Sequence, residues 1–134
     1  MLAVFSKVNW YIVINQKNKI MSTKTDERVG KYIQDFKEKI GEEPDVGLIR
    51  KITEYLGPVV FRDDAETVAS SSESELETVK SNFLIKKLGL PNDSKLDVGL
   101  NAMLEKYGKS NRNKYRVIVY YLLTKYFNKE SVFA

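Results

Sequence analysis

The sequence predicts an all-α fold, a compact single-domain bundle of about five helices. Three observations carry that prediction. From residue 25 onward the apolar residues recur at three- and four-residue spacing. Glycine or proline punctuates each periodic segment where a helix would end. The connections between segments are short enough for neighbouring helices to pack together. The chain has 134 residues, 43% of them apolar and 30% charged. This is enough for one hydrophobic core and too apolar for a disordered chain.

The first helix is expected from Thr25, as its cap, to Gly41, with Val29, Tyr32, Ile33, Phe36 and Ile40 on its inner face. Pro44 and Asp45 open the second, in which Asp45 caps and Val46, Ile49, Ile52, Tyr55 and Leu56 face inward. Gly57 and Pro58 end it, because proline cannot extend the hydrogen-bond ladder. The next stretch is irregular. Val59, Val60 and Phe61 are expected in a buried turn, followed by one helical turn from Asp64 through Val68 and a serine loop at Ser70, Ser71 and Ser72.

Two overlapping capping boxes, Ser72 with Glu75 and Ser74 with Glu77, start the third helix. Its inner residues are Leu76, Val79, Phe83, Leu84 and Leu88, and Gly89 with Leu90 reads as a Schellman ending. Asp93 or Ser94 begins the fourth, with Leu96, Leu100, Met103, Leu104 and Tyr107 inward and Gly108 as its stop. Ser110 or Asn111 is expected to cap the fifth. There Tyr115, Ile118, Val119, Leu122 and Tyr126 share a face that Val117, Tyr121 and Leu123 widen. So broad a stripe predicts a central helix. Val132 and Phe133 are expected to tuck back onto the body.

Residues 1–20 read differently. They contain three lysines and no acid, so the net charge of +4 falls to +1 for residues 21–134. Basicity is therefore no argument that the domain binds nucleic acid. The segment lacks the order of parts of a secretory signal and is too short and interrupted to span a membrane. A short strand at residues 8–14 fits its composition. The expectation is an extension, a misassigned start or a disordered arm, ahead of a domain at residues 21–134.

There is no cysteine and no histidine. Disulfides, Cys/His zinc sites and Ser-His or Cys-His nucleophile pairs are thereby excluded, and a reducing, cytoplasmic setting is expected. "GKS" at residues 108–110 ends like a phosphate-binding loop, but Met103 stands where the first glycine of that motif belongs, on a segment that reads as helix. "FLIKKLGLPNDSKLDVGLNAML" resembles SAP-type DNA-binding modules in its amphipathic helix, Gly-Leu pair and basic Lys95, features shared by any helix with a Schellman ending.

The charges are segregated along the chain. Residues 106–129 hold seven bases and no acid, and residues 63–77 hold six acids and no base. Lys109, Arg112, Lys114 and Arg116 form a candidate binding surface, able to grip phosphates, with Tyr115 as a stacking face. Asp63, Asp64 and Glu66 form a candidate acidic surface, without the spacing of a calcium loop. The two blocks can also face each other, within the chain or between subunits.

The strings "DAETVASSSESELETVKSNFLIKKLGL", "SNRNKYRVIVYYLL" and "KESVFA" resemble a bacterial family, domain of unknown function 2853, over nearly all of residues 21–134. The resemblance implies an all-helical single domain in the bacterial cytoplasm and no particular chemistry. The expectation is a non-catalytic binding or interaction module with no catalytic, cofactor or metal residue and no membrane association. Its partner is a protein or a second copy of the chain. Nucleic-acid binding through the basic segment is the alternative, and a carboxylate-based enzyme is the more remote one.

Overall fold

A computed structural model describes residues 19–134, in side-chain detail from Lys24. The expectations for residues 1–18, a strand among them, lie outside the described residues. Among the described residues, five helices of seven residues or more build the domain: α1 (Lys19–Ile40), α2 (Val46–Leu56), α4 (Glu73–Val79), α5 (Lys95–Tyr107) and α6 (Arg116–Tyr126). A one-turn helix, α3 (Asp63–Glu66), precedes strand β1 (Thr67–Val68), which pairs antiparallel with β2 (Lys114–Tyr115). Among the described residues, no helix is long and apolar enough to cross a membrane.

Helix α1 presents Val29, Tyr32 and Phe36 to the core. It runs through both Met21 and Thr25, so Thr25 is not its cap. The apolar periodicity begins only at Val29, and the polar turns before it carry no pattern that would mark the true start. Gly41, at φ +79°, stops the helix. Asp45 caps α2, its carboxylate accepting from the Leu48 N–H at 3.2 Å. The inner face of α2 is Leu48, Ile49, Ile52 and Thr53, whereas Val46 and Tyr55 are exposed. Of the turn that follows, a 3₁₀ segment (Gly57–Phe61), Val60 is buried and Phe61 exposed.

Ser72 caps α4 by accepting from the Glu75 N–H at 3.4 Å. The helix continues as a π-wound stretch (Lys80–Ile85). Leu90 N–H then returns to the Leu84 carbonyl at 3.0 Å, with Gly89 at φ +72° between them. This is a Schellman-type ending one residue longer than usual, in keeping with the wider winding before it. At the start of α5 the Asp93 carboxylate accepts from the Lys95 N–H at 2.9 Å, while Ser94 makes no side-chain cap.

Helix α6 is the centre of the domain. Its residues from Val117 to Thr124 are all buried, and it packs against α2 and α5. Tyr126, at its end, is exposed. The helix starts at Arg116, later than Ser110 or Asn111, because Lys114 and Tyr115 are taken into the strand pair with Val68 and Thr67. Likewise Thr67 and Val68 are strand, not the end of a helical turn. Two residues per strand are too few to show alternation in a sequence. Phe83 stacks on Tyr120 with centroids 3.8 Å apart, and Phe133, on a closing 3₁₀ turn (Glu130–Phe133), meets Tyr55 edge to face. Gly99 is the one place where the core demands a missing side chain: a Cβ there would overlap the Phe127 ring and lie 3.2 Å from Tyr126.

Candidate functional site

The short strand pair decides where the charged residues go. Lys114, in β2, is fully buried. Its Nζ donates to the Asn111 carbonyl at 2.5 Å and lies 6.0 Å from the centre of the Tyr107 ring. Burial pushes its pKa below the usual lysine value. Next to it, Arg116 turns inward. It donates through Nε to the Ala65 carbonyl at 2.9 Å and through Nη2 to Glu75 at 2.6 Å, locking α6 to α3 and α4. Both side chains tie the strand pair to its surroundings and leave the candidate basic surface. Tyr115 is likewise engaged, its ring 5.2 Å from that of Tyr32.

The acidic trio divides in the same way. Glu66 is buried and accepts from the Tyr32 hydroxyl at 2.6 Å, from Arg28 at 3.0 Å and from Lys31 at 3.3 Å. Burial, and then the Glu66 carboxylate, push the Tyr32 hydroxyl well above the usual tyrosine pKa. Tyr107 is similar: burial, and then its donation to Asp35 at 2.6 Å, raise it, while it accepts from the Tyr115 N–H at 3.0 Å. Asp63 and Asp64 stay exposed at the start of α3. Among the described residues, no three carboxylates converge as a metal site would require.

Lys109 and Arg112 remain exposed, and the fold brings them to serines that sequence spacing does not suggest. Residues 69–71 leave β1 beside residues 109–112, which lead into β2. Between them lies a cleft of about 660 Å³, lined by Ala69, Ser70, Ser71, Lys109, Ser110, Asn111 and Arg112. Its lining holds two cations, three hydroxyls and an amide, and no carboxylate. The Asn111 side-chain nitrogen is buried without a hydrogen-bond partner among the described residues. Lys109 reaches Glu105 at 3.0 Å, but both side chains are about two-thirds exposed (67% and 68%), so the pair is weak. The serines were legible only as a loop, because their approach to residues 109–112 depends on the strand pair.

Two other hollows are built differently. A groove of about 440 Å³ over Phe36, Met103 and Leu122 has rim charges that are already mated, Lys106 with Glu42 at 2.8 Å. A hollow of about 610 Å³ beside Phe61 is lined by Arg28 and Lys31, both turned onto Glu66.

The fold and this cleft define a small helical domain that offers a donor-lined recess and no nucleophile–base pair of the Ser-His or Cys-His kind. A family model described as protein of unknown function (DUF2853) matches residues 31–131, and the chain belongs to that family. No curated protein matches it.

Proposed function

We propose that the protein is a non-catalytic binding module that holds a protein partner by an anionic group seated in the cleft between residues 69–71 and 109–112. One observation carries this reading: a recess lined by two cations, three hydroxyl residues and an asparagine, without a carboxylate.

The absence of histidine and cysteine, and the dispersal of Asp63, Asp64 and Glu66, favour binding over catalysis. Two of the four bases that suggest a nucleic-acid surface, Lys114 and Arg116, are occupied inside the fold. That favours a compact anionic group over an extended phosphate backbone. A reducing, cytoplasmic setting agrees with the lack of cysteine.

The test is fluorescence anisotropy of a labelled acidic peptide and a labelled DNA duplex, titrated with wild type and with a Lys109→Glu, Arg112→Glu double variant at two salt concentrations. Wild type should bind the peptide, and the variant should lose binding while keeping its melting temperature. Equal binding by wild type and variant refutes the reading. Tighter binding to DNA, with a steep salt dependence, replaces it by the nucleic-acid alternative.

A further inference from the structure

The cleft's two walls are chemically unlike. One carries the hydroxyls of Ser70 and Ser71; the other carries Lys109, Ser110, the Asn111 amide and Arg112. A carboxylate presents two oxygens in one plane and satisfies one wall at a time. A phosphate monoester presents three terminal oxygens in a tetrahedral spread, so it can accept from both walls together. Its charge near neutral pH, about −1.5 to −2, matches Lys109 plus Arg112. A phosphodiester, as in a nucleic-acid backbone, has one negative charge and two free oxygens and leaves part of the donor set unused.

We infer that the anionic group taken by this cleft is a phosphate monoester, a phosphorylated hydroxyl side chain on the partner. Lys109, Ser110 and Arg112 bind its oxygens from one wall and the Ser70 and Ser71 hydroxyls bind them from the other. This rests on the binding-module reading and narrows its ligand. Lys109 exchanges an exposed ion pair with Glu105 for a dianion, an exchange with little to lose. Among the described residues Arg112 has no ion-pair partner, so it is free to turn inward, and the guanidinium fork suits a phosphate.

The chain has no histidine. Ordinary carboxylates and lysines do not titrate between pH 5.5 and 7.5, and the second ionisation of a phosphate monoester, near 6, does. Affinity in that window therefore reports the ligand's own charge.

The experiment is amide NMR of the full chain, titrated at constant ionic strength with four probes. These are inorganic phosphate, a short phosphoserine peptide, the same peptide with glutamate in place of phosphoserine, and acetate. Phosphate and the phosphopeptide should shift the amides of Ser70, Ser71, Asn111 and Arg112 saturably, and the glutamate peptide and acetate should do so with affinity about tenfold weaker or less. Affinity should fall severalfold from pH 7.5 to 5.5, and Arg112→Gln should weaken binding about tenfold or more. Phosphopeptide binding much tighter than inorganic phosphate assigns the group to a partner segment. The reverse order overturns that assignment in favour of a small phosphorylated metabolite. Equal shifts with all four anions overturn the phosphate inference and leave the anion cleft standing. No shift at these amides with any probe overturns both.

Discussion

Replacing Glu66 by glutamine keeps the shape of the side chain and removes its charge, which isolates what that charge does. The side chain is 8% exposed, while those of Arg28 and Lys31 are 27% and 40% exposed. The two cations are thus partly solvated, and each pair is worth about 0.2–1 kcal/mol. The Tyr32 hydroxyl is buried and donates to the carboxylate at 2.6 Å. A bond to a charged acceptor contributes about 1.5–3 kcal/mol, against roughly 1 kcal/mol for the neutral bond that glutamine can still accept. Together these give a loss of about 1–4 kcal/mol for Glu66→Gln. A domain of this size shifts by roughly 4 °C per kcal/mol, so the melting temperature should fall by roughly 4–16 °C. The assay is urea unfolding followed by circular dichroism, with Tyr32→Phe and the double variant completing a cycle. Coupling of about 1 kcal/mol or more between the two sites is expected, because they share one hydrogen bond. If Glu66→Gln stays within 0.5 kcal/mol of wild type, or the effects simply add, then the carboxylate does not organise this corner and the reasoning fails.

Gly99→Ala sets helix propensity, worth up to about 1 kcal/mol, against a clash with Phe127 that costs about 1–3 kcal/mol. The variant should be destabilised by about 1 kcal/mol in chemical unfolding, and should become neutral or stabilising when Phe127→Leu removes the ring. Lys114→Met replaces a buried ammonium that has one acceptor, and should match or exceed wild-type stability at pH 7. The folded-state pKa of Lys114 lies below its ordinary 10.5, so between the two values the unfolded chain holds more protons and wild-type stability gains with pH. Lys114→Met lacks this gain, and its advantage should shrink as pH rises from 7 to 10. Above pH 10 the raised Tyr32 and Tyr107 work the other way in both proteins, because only the unfolded chain releases those protons. Urea midpoints across this range check both directions, and a Lys114→Met advantage that grows with pH contradicts the assignment.

The helices were legible because helix-forming signals are local. Asp45 as a cap, Ser72 with Glu75, Gly89 with Leu90, Gly108 as a stop and the broad stripe of α6 each reside within a few residues, and each stands in the structure. The failures share the opposite property. Thr25 looks like a cap because its turn is polar, and nothing nearby announces that α1 continues toward Lys19. Ser110 and Asn111 look like caps because a β2 of two residues, stabilised by a partner 46 positions earlier (Val68 with Lys114), leaves no local trace. Val46, Tyr55 and Tyr126 fall on the right helical spacing, yet they lie at or near helix ends and stay exposed.

The same strand pair accounts for what happened to the segregated charges. In the sequence a basic block and an acidic block are separate features, each suggesting an outward surface. In the fold they meet, Arg116 on Glu75, while Glu66 turns to bases on α1 that belong to neither block. The strand pair buries Lys114 and aims Arg116 inward, so two of the four nominated bases are withdrawn from the surface. The remaining pair, Lys109 and Arg112, sits one turn away on the segment feeding β2, where the same pairing sets it beside Ser70 and Ser71. Charge density along the chain overstates the basic surface twofold and at the same time hides the hydroxyls. The cleft therefore depends on one two-residue pairing. Disturbing that pairing at Val68 should disperse the cleft's donors as surely as removing Arg112, whereas removing Arg112 should leave the pairing intact.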